Sequence, residues 1–104
     1  MEIMKKRALK LSLSVIVTVL NEQETISILI RSLLSQTLTP SEVIVVDGGS
    51  SDHTPQIIKS FSQVKFFSHS GNRSVGRNFA ISKSHGQIIA ITDAGCIPDP
   101  TWLA

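Results

Sequence analysis

The chain has 104 residues, enough for one small domain whose core has little margin. Hydrophobic residues make up 41% and charged residues 17%, a balance that argues against a disordered chain. A net charge of +2 is too small to imply a nucleic-acid partner, and no apolar run approaches the ~18 residues of a membrane span.

Residues 1–12 read as a basic tail in which Lys5, Lys6, Arg7 and Lys10 crowd together. Such a cluster is first of all a solvated segment, and it leaves contact with anionic lipid or phosphate open. A basic start ahead of an apolar run also resembles a signal peptide. Here Ser12 and Ser14 interrupt the run and no small-residue cleavage site follows, so residues 13–20, rich in Val, Ile and Leu, read as a first strand buried on both faces. In residues 22–36, Ile26, Leu29, Ile30, Leu33 and Leu34 recur at helical spacing, with Asn21 as the expected cap. Residues 37–41 carry Pro40 and read as a loop. Residues 42–46 are a second short apolar strand ending at Asp47.

Gly48-Gly49-Ser50-Ser51-Asp52 has turn chemistry, and Thr54-Pro55 opens a second helix with Thr54 as cap. Residues 64–68 form a third strand and residues 69–73 a polar loop. A third helix is expected over 74–84, with Val75, Phe79 and Ala80 turned inward and Gly86 stopping it. Residues 87–92 give a fourth apolar strand ending at Asp93. Pro98 and Pro100 bracket a turn, and Trp102-Leu103 begin a further helical pattern.

Strands alternating with helices, without repeats or a linker, indicate one α/β domain over 13–104 built on a parallel sheet. The expected strand order is 3-2-1-4, as in Rossmann-like nucleotide-binding halves. The winding direction then reverses between strands 1 and 4, and ligands bind such sheets beyond the carboxyl ends of the strands at that point.

The polar residues concentrate there. Strand 1 ends in Asn21-Glu22, strand 2 in Asp47 and strand 4 in Asp93, so three acids from distant positions converge on one rim. Carboxylates at such a rim can accept bonds from a base N–H or ribose hydroxyls, or hold a divalent cation against a diphosphate. Each also has a plainer role: Asp47 and Asp93 as turn residues, Asn21-Glu22 as a helix start. Arg73 and Arg77, one helical turn apart, are within range of phosphate oxygens or are simply solvated. His53, His69 and His85 lack metal-ligand spacing and read as surface residues. The single cysteine, Cys96, forms no internal disulfide, which fits a reducing compartment and hence a cytoplasmic setting. No glycine-rich phosphate loop follows strand 1, which argues against a dinucleotide dehydrogenase or a P-loop enzyme.

Four blocks then form a familiar pattern. The stretch from Ser14 to Glu22, the block Glu42-Val43-Ile44-Val45-Val46-Asp47-Gly48-Gly49-Ser50-Ser51-Asp52-His53-Thr54, the trio Gly76-Arg77-Asn78, and Asp93-Ala94-Gly95 together resemble the family-2 glycosyltransferases. The resemblance implies a GT-A fold that binds a nucleotide-diphosphate sugar and passes the sugar to an acceptor hydroxyl with inversion. It implies donor-nucleotide contacts for Glu22 and Asp47, a pocket-shaping role for Asp52, and a basic group near the donor at Arg77. Asp93 matches the first acid of the family's Asp-x-Asp motif, beside the ribose and a diphosphate-bound Mg²⁺ or Mn²⁺.

Three departures qualify this. Thr18 and Leu20 stand where the family commonly has Pro and Tyr, so an aromatic contact is lost. Gly95 replaces the second acid of the Asp-x-Asp motif, so metal binding rests on Asp93, Asp99 or a residue outside this sequence. The family's general base and acceptor region lie downstream of Ala104. The 104 residues alone are therefore expected to lack transfer activity, and the contrasting reading is a nucleotide-binding or protein-interaction module without chemistry. Sugar, base and acceptor stay unassigned, and peripheral membrane association at the inner face stays open.

Overall fold

The computed structural model describes residues 12–36 and 40–93, the last by its backbone. The basic cluster, Gly95, Cys96, Pro98, Asp99, Pro100 and Trp102 lie outside the described residues. Four strands, β1 (Leu13–Val19), β2 (Glu42–Asp47), β3 (Val64–Ser68) and β4 (Ile88–Asp93), form a parallel sheet in the order β3-β2-β1-β4. The helices between them are α1 (Ile26–Leu34), α2 (Thr54–Lys59) and α3 (Arg73–Lys83). The predicted architecture and strand order are those observed.

Period-two geometry distributes the apolar residues of β1 and β2 over two cores. Val15, Val17, Val19, Val43 and Val45 face α1 and α2, where they meet Ile26, Leu29, Ile30, Leu33 and Ile58. Ile16, Ile44 and Val46 face the other way, against Ala80 of α3. Both inner strands are buried on both faces, which is why they read as unbroken apolar runs. β4 differs: Ile88, Ile89 and Ile91 remain 50%, 38% and 40% exposed.

The boundaries carry corrections. α1 starts at Ile26, four residues later than the periodicity suggests, and Thr25 occupies its cap position without a side-chain cap bond. Asn21 is therefore not the cap. It adopts a left-handed conformation, φ 53°, which Asn tolerates better than most residues. Thr54 lies inside α2, with His53 at the cap position and Pro55 in the first turn. α3 is capped by Asn72, whose side chain accepts the Val75 N–H at 2.9 Å. Val75 is 41% exposed, not inward, because Gly76 and Ala80 occupy the buried stripe.

Candidate functional site

At the carboxyl end of the sheet, two loops are stitched together mainly by side chains that accept backbone N–H groups. Asn21 Oδ1 accepts the Ser51 N–H at 2.8 Å, and the Asn21 N–H donates to Ser50 Oγ at 2.8 Å. The Glu22 N–H donates to Thr54 Oγ1 at 2.9 Å, and the Gln23 N–H to Asp52 Oδ2 at 3.3 Å. Gln23 Oε1 in turn accepts the His53 N–H at 3.0 Å. Each bond satisfies a loop amide that the strands leave unpaired. Together they hold the β1 exit against the β2 exit.

Asp47 is the centre of its own turn. It is only 2% exposed. Its Oδ2 accepts the N–H groups of Gly49 and Ser50 at 3.0 and 2.8 Å, and its Oδ1 accepts the Ser50 hydroxyl. Asp52 accepts both the N–H and the hydroxyl of Thr54. Desolvation alone would raise the Asp52 carboxyl, but the bonds from Thr54 and the Gln23 N–H hold it below its usual range. The turn role that sequence chemistry allowed for Asp47 is thus observed.

Between these loops and the first turn of α3 lies a cleft of about 480 Å³. Thr18, Val19 and Leu20 of the β1 exit, with Val46 and Gly48 of the β2 exit, form its floor and near wall. Gly71, Asn72, Arg73 and Gly76 form the opposite side. Gly76 permits this closeness: a Cβ there would sit 3.3 Å from Thr18 Cγ2. Glu22 enters the cleft from the β1 side, with Oε2 accepting the Thr25 hydroxyl at 3.1 Å. The described lining therefore carries one acid, Glu22, and one base, Arg73, on opposite walls.

Of the expected site residues, Glu22 lines the cleft directly. Asn21, Asp47 and Asp52 brace the loops that shape it. Arg77 lies one turn into α3 and is not among the residues lining the cleft; among the described residues its Nε is buried without a hydrogen-bond partner. Asp93 ends β4 in register with Thr18, which places its backbone at the same rim. Sequence reasoning gave no site role to Thr18, Val19, Val46 or Gly48. Their only sequence signal is position, within three residues of an acidic strand end. His69 stacks on Phe79, with centroids 4.2 Å apart.

Among the described residues no group of three His, Cys, Asp or Glu side chains is arranged to hold a metal ion. The residues present suit a cation carried mainly by a diphosphate, since Mg²⁺ is commonly held by one or two carboxylates plus phosphate oxygens and water. Asp93 has its backbone at this rim, beside β1.

Fold and cleft together define an α/β domain of Rossmann-like topology with a cleft at the carboxyl end of its sheet. The chain belongs to glycosyl transferase family 2, whose family model matches residues 14–104. It is 37% identical over 98 residues to Glycosyltransferase AglE of Haloferax volcanii, covering 86% of this chain and 32% of that protein. The S. aureus TarS 1-349 structure in complex with UDP superposes with a TM-score of 0.79 at 28% identity, over 89% of this chain and 30% of that one. Glucosyl-3-phosphoglycerate synthase from Mycobacterium tuberculosis, in complex with Mn²⁺, UDP and glucosyl-3-phosphoglycerate, superposes with a TM-score of 0.68 at 28% identity, over 88% and 36% of the two chains. The chain thus spans about a third of the length of these relatives. The GT-A, Rossmann-like architecture is common to them.

Proposed function

We propose that this chain forms the donor-binding part of an inverting glycosyltransferase, holding a uridine-diphosphate sugar at the rim of β1, β2 and β4. The observation that carries this reading is the cleft of about 480 Å³ beside the carboxyl ends of β1 and β2, the size class of small-ligand sites. The complexes of TarS with UDP and of the mycobacterial synthase with UDP and Mn²⁺ support the choice of nucleotide.

In this reading the apolar floor of Thr18, Val19, Leu20 and Val46 receives the nucleoside. Glu22 accepts hydrogen bonds from ligand N–H or hydroxyl groups. Asn21, Asp47 and Asp52 keep the two loops in place. Arg77, whose Nε lacks a partner among the described residues, supplies a donor to the ligand. Asp93 contacts the ribose and is the protein's metal ligand. A divalent cation, Mg²⁺ or Mn²⁺, would offset charge developing on the diphosphate leaving group. The base that deprotonates the acceptor hydroxyl belongs to the part of the relatives that this chain does not span. The unit that does this work is residues 13–104, with 1–12 as a basic tail, in a cytoplasmic setting that includes the inner membrane face.

Calorimetric titration of the folded chain with UDP, GDP and their sugars, with and without Mn²⁺, tests the reading. Uridine nucleotides should bind, more tightly with Mn²⁺. Heat signals indistinguishable from dilution for every ligand would remove the donor-site assignment.

A further inference from the structure

A second polar cluster lies at the opposite, amino-terminal end of the sheet, around Glu42. This carboxylate begins β2, and its side chain is only 6% exposed. Its Oε2 accepts the Ser14 hydroxyl of β1 at 2.5 Å and the N–H of His85, in the α3–β4 connection, at 2.5 Å. Its Oε1 accepts Lys65 Nζ of β3 at 2.7 Å, with His85 Nδ1 at 3.6 Å. One carboxylate therefore binds β1, β3 and the segment leading into β4 to its own strand.

We propose that Glu42 is a positioning residue for the donor site: it fixes the register of β4 against β1 and so the place of Asp93 at the rim. The part concerning Asp93 rests on the donor-site reading above. The part concerning register does not.

The argument begins with what β4 lacks. Among the described strands β4 pairs only with β1, and Ile88, Ile89 and Ile91 are 38–50% exposed. Its opening residues, Ile88-Ile89-Ala90-Ile91, show no alternation of polar and apolar side chains. Register is specified by such alternation where one face is buried and is weakly specified without it. A slip of one residue would turn Asp93 to the other face of the sheet. Little in the side chains of β4 resists that slip.

The contacts just before β4 do resist it. The Gly86 N–H donates to Ser14 Oγ at 2.8 Å, the same hydroxyl that donates to Glu42. The N–H groups of Gln87 and Ile88 both donate to the Ser12 carbonyl, at 3.0 and 3.1 Å. A Cβ on Gly86 would lie 2.4 Å from Ser14 Oγ, so the backbone approaches as closely as glycine allows. Glu42 anchors this arrangement because it holds both Ser14 and His85. From Ile88 to Asp93 is five residues, about 17 Å of strand, so a clamp at one end sets the other.

Hydrogen exchange with mass spectrometry on the full chain separates this role from general stability. E42A and the milder S14A should each speed exchange of the β4 amides by about tenfold, while amides of α1 change less than about twofold. E42Q and K65M should leave β4 near wild type. A glutamine oxygen can still accept from Ser14 and His85, and K65M removes only the β3 arm. In E42A or S14A, the gain in UDP affinity caused by Mn²⁺ should also fall by about fivefold, with Mn²⁺-free binding nearly unchanged. An unaltered β4, or equal acceleration in α1 and β4, would overturn the register clamp. A wild-type chain that binds no UDP would instead overturn the donor reading and the Asp93 link, leaving the clamp to the exchange result.

Discussion

Among the described residues the Arg77 Nε is buried and has no hydrogen-bond partner, unlike the carboxylate of Asp47. A buried polar atom without a protein partner costs stability unless a water, an ion or a ligand bonds to it. Replacing Arg77 with Leu should leave the urea midpoint unchanged or higher, since no protein hydrogen bond of Nε is lost. It should weaken UDP binding by about tenfold, or about 1.4 kcal/mol. Unchanged affinity in R77L would remove Arg77 from the site. Asp47 makes the opposite case. Its carboxylate satisfies the N–H groups of Gly49 and Ser50, so D47A strands two donors and should cost about 1–3 kcal/mol in urea unfolding. Loss of binding in D47A alone is therefore not diagnostic of ligand contact, whereas in R77L it is. Sequence chemistry allowed Asp47 its turn role, but it could not show that the Arg77 Nε is buried without a partner among the described residues.

The elements show where sequence reading succeeds and where it stops. The apolar stripe of α1 and the Val/Ile runs of β1 and β2 were legible because burial is what those residues are selected for by physics. Helix starts were less so. Asn21 has the chemistry of a cap, yet its side chain is taken by the Ser51 N–H on another loop, and α1 begins only at Ile26. Val75 fitted a helical stripe beside Phe79, but the close approach of α3 to β1 is made by Gly76, which leaves Val75 outside. The same turn yields a test of the cleft wall. Gly71 has φ +140°, and a Cβ there would come within 2.7 Å of Val75 Cγ1. G71A should therefore lose about 1–3 kcal/mol in denaturant unfolding. The double variant G71A/V75A should recover only part of this loss, because the Val75 Cβ, 2.9 Å away, remains and the backbone cost is untouched. Full recovery would mean that the positive φ carries no cost.

For the molecule as a whole, strand order followed from alternation, and the cleft lies at the carboxyl end of the sheet where such folds bind ligands, while the second polar centre was not legible. Ser14 read as an interruption of an apolar run and Glu42 only as the start of a strand, because nothing local signals that they bond to each other and to a turn some forty residues beyond Glu42. That centre also sets how the protein responds to acid. Burial by itself would raise the Glu42 carboxyl, but bonds from Lys65, Ser14 and the His85 N–H, with the Lys65 charge, bring it from 4.5 to about 2. A carboxyl whose folded value is lowered binds protons more readily in the unfolded chain, so its contribution to stability is complete above about pH 4.5 and drains away towards pH 2. Asp52 acts in the same direction. Thermal unfolding followed from pH 6 down to pH 2.5 should therefore show the melting temperature falling most steeply below pH 4.5. In E42Q the melting temperature should start lower at pH 6, by the loss of the Lys65 pair, and decline less over the acid range, because the group that titrates is gone. Parallel declines in E42Q and wild type would mean that other carboxylates govern the acid response and that folding does not lower the Glu42 value.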